Sequence, residues 1–199
     1  MRKKVILMLL FCSSLFTVLA QTASDSLALV SADWQVKTLQ KGILYRKAIF
    51  ASLYGVPQEV SIFEISPKQN NFDVLIHNPK EETSMAACHA GAVAAINGSY
   101  FNMELGRDGA VIDTTSVGTL ATVSNGAVFI RKGKLRLIPW SKQDEKLCTL
   151  KKGTVLASGP LMLLNGKVRD LSACNRSFVQ TKHPRSAVAL MKDGTVFLT

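Results

Sequence analysis

The chain has 199 residues, of which 47% are hydrophobic and 19% are charged, and its formal net charge is +10. This length suits one domain with enough sequence for a substantial core. The positive charges are thinly spread and are not interleaved with aromatic residues, so the composition argues against nucleic acid as a partner.

The N-terminus has the pattern of a cleavable secretory signal. Three basic residues at positions 2–4 precede an apolar stretch from Val5 to Leu19, and Ala20 completes an acceptable cleavage site. About 15 apolar residues are short for a membrane span. We therefore expect a secreted or periplasmic protein with no stable transmembrane segment after cleavage, an N-terminal extension over residues 21–41, and a domain over residues 42–199.

The first half of the domain predicts strands and one helix. Residues 21–41 predict a loose segment anchored by Trp34, and residues 42–54 predict one or two strands. Residues 60–65 and 72–77 alternate apolar and polar positions around a turn, which predicts a β-hairpin. The alanine-rich run over residues 83–90 predicts the only clear helix. Its caps are expected to be Thr83 or Ser84 at the start and Gly91 at the end.

The segment after this helix is the centre of the sequence argument. Ala92–Ile96 predicts a short buried strand that ends in Asn97-Gly98, a place where ligands commonly sit. A plain hairpin turn is the alternative, since Asn-Gly is the strongest short-range turn signal. Residues 104–118 are polar and contain glycine, which predicts a loop beside this turn. Later hairpins are predicted around Lys132-Gly133, Asn165-Gly166 and Asp193-Gly194.

Many short strands, one clear helix and glycine-based turns predict an α+β fold. We expect a mixed or largely antiparallel sheet in a single domain. The last predicted strand runs to Thr199, so we also expect a chain that is truncated at its C-terminus.

Three cysteines follow the predicted signal. Cys148 and Cys174 can pair in an oxidising compartment, whereas Cys88 lies among alanines and suits a small buried apolar position. The sequence contains no CxxC or Cys/His spacing typical of zinc. We expect no cofactor and no metal.

Four motifs follow one another in the chain. They are Ala-Ile-Asn-Gly-Ser-Tyr-Phe (95–101), Ala-Ser-Gly-Pro-Leu-Met (157–162), His-Pro-Arg-Ser-Ala-Val-Ala (183–189) and Lys-Asp-Gly-Thr-Val (192–196). In this order they resemble the phosphodiester glycosidase family, over roughly residues 60–199. The resemblance implies hydrolysis of a sugar-1-phosphodiester, such as a GlcNAc-phosphodiester, on a bacterial surface or extracellular glycan.

The resemblance also raises an alternative. Members of the family continue past the last hairpin to an Asp-Gly-Gly-Gly-Ser-like segment, which this sequence does not contain. A non-catalytic glycan-binding or envelope-associated module is therefore the second hypothesis. In both cases the expected partner is a sugar phosphodiester or a phosphorylated glycan.

The implied reaction needs donors that bind the phosphate and the sugar. Arg185 is the phosphate candidate because its planar guanidinium matches two phosphate oxygens, and Ser186 can add a hydrogen bond. Asn97 and the Gly98 N–H are candidates for orienting the sugar or phosphate. The Ser158 hydroxyl can donate to substrate. Gly159 lets a ligand approach the backbone. The alternatives are a surface ion pair for Arg185 and a plain turn at Gly159.

The reaction usually also needs two carboxyl groups. Glu64 is the first candidate, because burial in an apolar strand would suit it to act as an acid; an outward-facing strand residue is the alternative. Asp108 and Asp113 follow the Asn97 turn and can close over a substrate, or are solvated loop acids. His183 is a candidate acid or base, with a structural role as its alternative.

Overall fold

The computed structural model describes residues 23–75, 81–98, 103–105, 110–113, 125–141, 144, 153–172, 174 and 179–199. The predicted signal, Asp108 and Cys148 lie outside these residues, so the predictions made for them are untested. None of the helices in the described ranges has the length and apolar character needed to cross a membrane.

The described residues form two helices and twelve strands. The helices are α1 (Ala23–Val30) and α2 (Thr83–His89). The strands are β1 (Gln35–Gln40), β2 (Ile43–Leu53), β3 (Val56–Ile65), β4 (Met103–Leu105), β5 (Ala110–Asp113), β6 (Gly126–Arg131), β7 (Lys134–Pro139), β8 (Thr154–Ser158), β9 (Leu163–Leu164), β10 (Lys167–Val168), β11 (Val188–Leu190) and β12 (Val196–Leu198). The predicted α+β fold with many short strands is confirmed.

The strands are arranged in three sheets. The first has the order β1-β2-β3-β12-β11, the second has the order β4-β5-β8-β6-β7, and β9 and β10 form a small separate pair. In the second sheet β5 and β8 run parallel, whereas the other pairs are antiparallel. The sheet is therefore mixed, as predicted.

The three late hairpins are confirmed. Lys132 and Gly133 have φ angles of 50° and 71°, and Asn165 and Gly166 have φ angles of 52° and 76°. Two successive positive φ angles are the signature of the tight turn that matches the twist of paired strands. The third hairpin joins β11 to β12 around Asp193-Gly194.

The contacts of the chain group into two compact units. One contains the described residues up to Trp34 together with Ala48–Val60. Its core is formed by Ala48, Phe50 and Leu53, against which Ala28, Leu29 and Trp34 pack. The Trp34 and Phe50 rings meet edge to face with centroids 6.2 Å apart. The anchoring role of Trp34 is confirmed. The prediction of a loose segment over residues 21–41 is wrong, because α1 and β1 lie within it.

The other unit contains Gln35–Lys47 and Ser61–Thr199. One core cluster of this unit is built from the first sheet. It consists of Ile43, Ile65, Val196 and Leu198, and Phe63, Ile96 and Leu135 pack against it. A second cluster, on the second sheet, consists of Ala127, Trp140, Val155 and Ala157. Since Leu135 belongs to β7, the first cluster also joins the first sheet to the second.

The predicted hairpin between residues 60–65 and 72–77 is wrong. Residues 71–75 do not form a strand, and the sheet neighbours of β3 are β2 and β12. The Phe72 N–H donates instead to the carbonyl of Gly133 at 3.0 Å. This bond ties the segment to the β6–β7 turn, so it is not available for pairing with β3.

Helix α2 is confirmed, with one correction at its N-terminal cap. Glu82 occupies the N-cap position and makes no side-chain capping bond, so neither Thr83 nor Ser84 caps the helix. At the other end Gly91 has a φ of 65°, and the N–H groups of Gly91 and Ala92 donate to carbonyls of the last turn. This pair of hydrogen bonds is the pattern in which a glycine ends a helix, so the predicted role of Gly91 is confirmed.

Two further predictions around α2 are wrong. Residues 92–98 have no regular secondary structure, so Ala92–Ile96 is not a strand. Its Ile96 is only partly buried, where it packs against the first-sheet cluster. Cys88 is exposed, because Ala86 is the buried position of this short helix. Cys174 is buried and free.

Candidate functional site

Asn97 and Ser186 come from two different motifs and meet in the structure. The Ser186 hydroxyl donates to Asn97 Oδ1 at 2.5 Å, across 89 residues of sequence. Each partner is held by an adjacent residue. Ile96 packs against the first-sheet cluster, and Ala187 exchanges two backbone hydrogen bonds with Thr199, of 2.8 and 3.0 Å. The sequence placed both side chains in one site, and the structure brings them into direct contact.

The direction of this bond decides what Asn97 presents to a ligand. Because Oδ1 accepts from Ser186, the part of the amide left for other partners is Nδ2, which carries two N–H donors. Both residues are exposed. Asn97 is therefore an oriented donor that suits the oxygens of a phosphate or a sugar. Ser186, whose hydrogen is used on Asn97, orients it.

Gly98 connects this pair to the second sheet. A Cβ added at Gly98 would lie 3.0 Å from Leu156 Cδ2, so the backbone here packs closely against β8. Side chains two residues apart in a strand lie on the same face, so Ser158 follows Leu156 on the face that Gly98 covers. The opposite face carries Val155 and Ala157 in the second core cluster. The structure thus brings Ser158 to the side of the sheet where Gly98 lies.

The segment after Ser158 is shaped by a residue that the sequence analysis missed. Gly159-Pro160 is a cis peptide, and Asn125 Oδ1 accepts the N–H of Leu161 at 2.6 Å. Gly126 pairs with Ser158 in the β6–β8 register. The Asn125-Gly126 dipeptide is itself a turn signal, but it stands outside the four motifs and nothing in the sequence links it to Leu161.

Arg185 and His183 lie on the exposed stretch that leads to Ser186. Arg185 Nη2 donates to the carbonyl of Thr181 at 3.5 Å, and Arg185 directly precedes the residue that orients Asn97. The basic residues Lys182 and Arg185 lie on the same exposed stretch as Ser186. No described contact joins His183 to Asn97, Gly98 or Ser158.

Glu64 lies elsewhere. Its Oε2 pairs with Arg46 Nε at 2.7 Å, with 29% of the Glu64 side chain and 33% of the Arg46 side chain exposed. Phe63 and Ile65, on either side of it in β3, pack in the first-sheet cluster with Ile96. Since strand side chains alternate, Glu64 points to the opposite face of the sheet. The structure does not bring it together with Asn97.

Of the two described candidate carboxylates, Asp113 is the one whose backbone lies in the same sheet as Ser158. It is the last residue of β5, which runs parallel to β8 with Val111 beside Leu156. Asp113 and Ser158 each lie two residues beyond that pair, so both strands end at the same edge of the sheet. The predicted loop over residues 104–118 is wrong where described, since it contains β4 and β5.

Among the residues that the structure describes, two carboxyl groups have lowered pKa values, and each accepts hydrogen bonds from a residue two positions later. The pKa of Asp193 lies below its ordinary value because the backbone N–H of Thr195 donates to it, at 2.9 Å. The pKa of Asp170 is lowered by the backbone N–H and the hydroxyl of Ser172, at 2.8 and 2.7 Å. The described residues contain no group of three or more His, Cys, Asp or Glu side chains that could hold a metal ion.

The comparison with protein families gives one match. The sequence model described as phosphodiester glycosidase matches residues 90–199, which is more than half of the chain. The chain belongs to the phosphodiester glycosidase family. Within this phosphodiester glycosidase region lie both partners of the Asn97–Ser186 bond, whereas Glu64 lies before it. No curated protein and no solved structure matches the chain.

Proposed function

We propose that this protein is an exported hydrolase that cleaves the bond between a sugar and a phosphodiester oxygen. The substrate class is GlcNAc-phosphodiester-like, on a bacterial surface or extracellular glycan. The observation that carries the proposal is the hydrogen bond from Ser186 to Asn97, because it joins two separate family motifs into one oriented donor. The family match covers both motifs.

In this proposal the site binds substrate mainly through neutral donors and one cation. Asn97 Nδ2 and the Gly98 N–H bind oxygens of the phosphate or the sugar. Ser158 donates a further hydrogen bond, and Gly159 leaves room for substrate against the backbone. Arg185 neutralises the phosphodiester charge, for which a guanidinium is suited. His183 stands two residues before Arg185 and remains the candidate acid or base.

The carboxylate in the proposal is Asp113 rather than Glu64. Glycoside hydrolysis usually uses carboxyl groups on either side of the scissile bond. Glu64 is held by Arg46 on the far face of the first sheet. The register of β5 and β8 supports Asp113, since it ends its strand at the sheet edge where Ser158 ends β8.

Export is proposed from the N-terminal sequence alone. The basic start and the apolar stretch from Val5 to Leu19 have the order of a secretory signal. Mass spectrometry of the protein expressed with its native N-terminus tests this directly. A mature chain that begins at or near Gln21 supports export, and an intact Met1 in the cytoplasmic fraction contradicts it.

The activity is tested with a panel of sugar-1-phosphodiesters that includes a GlcNAc-phosphodiester, with release of free sugar as the readout. Arg185→Ala is expected to lower kcat/KM by roughly 10-fold to 100-fold, the size of one hydrogen-bonded charge contact. Arg131→Ala is the matched control, since Arg131 is an exposed arginine beside the β6–β7 turn. It should leave kcat/KM unchanged.

The carboxylate assignment has its own test. Asp113→Asn should abolish turnover while binding of the substrate persists, whereas Glu64→Gln should retain turnover. Equal loss in the Arg185 and Arg131 variants contradicts the site. Turnover that survives Asp113→Asn contradicts the carboxylate assignment alone.

A second candidate function is a glycan-binding module without turnover. It is favoured by the described contact of Asn97, which joins an amide to a hydroxyl and leaves neutral donors of the kind that bind sugar hydroxyls. Calorimetric binding of a phosphorylated glycan without product release supports the module. Release of sugar from the bound glycan rules it out.

A further inference from the structure

We propose that Asn125 is a positioning residue that holds residues 158–161 in the shape in which they meet substrate. The role given to Ser158 and Gly159 rests on the proposed function, whereas the contact itself does not. Asn125 Oδ1 accepts the N–H of Leu161 at 2.6 Å, across 36 residues of sequence. Leu161 is buried. A buried N–H needs a partner, and this side chain supplies it.

Asn125 is itself fixed to the core. Its carbonyl accepts the N–H of Trp140 at 3.0 Å. Trp140 is buried in the second core cluster with Val155 and Ala157 of β8. The oxygen that holds Leu161 is therefore attached to the same packed layer as the strand that ends at Ser158.

Gly126 makes a second, independent contact with the same segment. A Cβ added at Gly126 would lie 2.8 Å from Leu161 Cβ, which is too close for the two side chains to coexist without a shift. Gly126 also pairs with Ser158 across the β6–β8 ladder. Asn125 and Gly126 thus meet the segment at both of its ends, at Leu161 by side chain and close packing, and at Ser158 by strand pairing.

The chemistry of the contact separates positioning from binding. Only an oxygen acceptor is required at Asn125, so Asn125→Asp should preserve the bond to the Leu161 N–H. Asn125→Ala removes the acceptor and leaves a buried donor unpaired. Asn125→Asp also removes the Nδ2 donors, so a wild-type KM in this variant shows that Asn125 acts on substrate through Ser158 and Gly159.

The test measures kcat and KM for the full chain on the best substrate of the panel. Asn125→Ala should raise KM by about 10-fold or more with a smaller change in kcat, because Ser158 and Gly159 are proposed to bind substrate and one hydrogen bond to a charged ligand contributes about this much. Asn125→Asp should stay close to the wild type. Gly126→Ala keeps the Asn125 oxygen but pushes Leu161, so it should raise KM as well.

Asn70→Ala is the matched control. It also removes a hydrogen-bonded asparagine side chain, here a buried one, whose partners lie in β1, in the β1–β2 turn and at Ser66. A lower Tm with unchanged KM is expected. If Asn125→Ala and Asn70→Ala have the same KM, or if Asn125→Asp behaves like Asn125→Ala, the positioning role is overturned.

Amide hydrogen exchange of Leu161, followed by NMR, gives a readout that does not depend on turnover. Compared with core amides of the same variant, the Leu161 N–H should exchange faster in Asn125→Ala. In Asn125→Asp it should keep the protection that it has in the wild type. If the wild type releases no sugar from any substrate, the proposed function fails, and the exchange result still decides the contact. Equal protection in both variants overturns it.

Discussion

Asn70 and Asn97 carry the same amide in two regions of one unit and use it differently. Asn70 is only 8% exposed, and its Nδ2 lies within reach of three carbonyls, those of Ser66 at 3.0 Å, Gly42 at 3.2 Å and Lys41 at 3.4 Å. Its Oδ1 accepts from Gln40 at 2.8 Å. Asn97 is exposed, and its one described bond, from Ser186, occupies only Oδ1.

The difference shows that an asparagine bonded fully within the protein contributes to stability, whereas one with unused donors can bind a ligand. A buried amide must satisfy its groups within the protein, and each one left unpaired costs free energy. An exposed amide that keeps its donors for solvent can exchange water for a ligand. The Ser186 bond does not satisfy Asn97 fully; it selects which part of the amide faces outward.

The largest effect on stability is expected for Asn70→Ala. The change leaves the Gly42 and Ser66 carbonyls and Gln40 without this partner, so the free energy of unfolding should fall by about 2–3 kcal/mol. For a chain of this size Tm should drop by roughly 4–12 °C. Thermal unfolding measures the change. Activity per folded molecule should persist. A loss of activity under conditions in which the variant is fully folded would contradict a purely stabilising role for Asn70.

Asn97→Ala should have the reverse profile. Losing one hydrogen bond to a charged substrate costs about 2 kcal/mol, so kcat/KM or the binding constant should fall roughly 30-fold. The free energy of unfolding should change little because Asn97 is exposed. Steady-state kinetics and denaturant unfolding of the same preparation separate the two quantities. A stability loss as large as that of Asn70→Ala would show that Asn97 stabilises the fold rather than binding substrate.

Ser186→Ala should produce a smaller change of the same kind. The substitution removes the hydroxyl that orients Asn97, worth about 1 kcal/mol, so kcat/KM should fall roughly 5-fold. A double-mutant cycle with Asn97→Ala checks the mechanism, because the two losses should not add when one residue acts through the other. Full additivity would show that Ser186 contacts substrate by itself.

Glu64→Gln should have a smaller effect still. The Arg46–Glu64 pair is about one third exposed, and exposed ion pairs contribute about 1 kcal/mol or less. We expect a slight loss of stability and unchanged turnover. Arg46→Gln is the control and should lose about as much stability. A large loss of turnover in Glu64→Gln alone would restore Glu64 as a catalytic candidate.

The smallest effect is a pH dependence of the β11–β12 hairpin. The Thr195 N–H lowers the pKa of Asp193 below its ordinary value of 3.8. A carboxyl with a lowered pKa in the folded state contributes stability above the unfolded value, and this is lost as pH falls through the folded value. The protection factor of the Thr195 amide, taken relative to the intrinsic exchange rate at each pH, should therefore fall on acidification below about pH 4. Asp193→Asn should remove this dependence.

Local sequence signals predicted the tight turns and most of the strands well. Asn165-Gly166 forms the predicted turn because asparagine and glycine adopt positive φ angles readily, and Gly133 supplies the same freedom in the Lys132-Gly133 turn. Gly91 ends α2 for the same reason. The strand predicted at Ala92–Ile96 failed because apolar character alone does not supply a pairing partner. The same holds for the predicted return strand after Asn71.

The sequence by itself determined the fold class, the hairpin turns and the family resemblance, and it predicted a site that would contain Asn97 and Ser186. Only the tertiary structure decided that Ser186 is bonded to Asn97, that Glu64 points away from them, and that Asn125 holds Leu161. Turn and helix signals lie within a few neighbouring residues. Contacts across 36 or 89 residues depend on how strands pair and which faces they bury, and that information is spread over the whole chain.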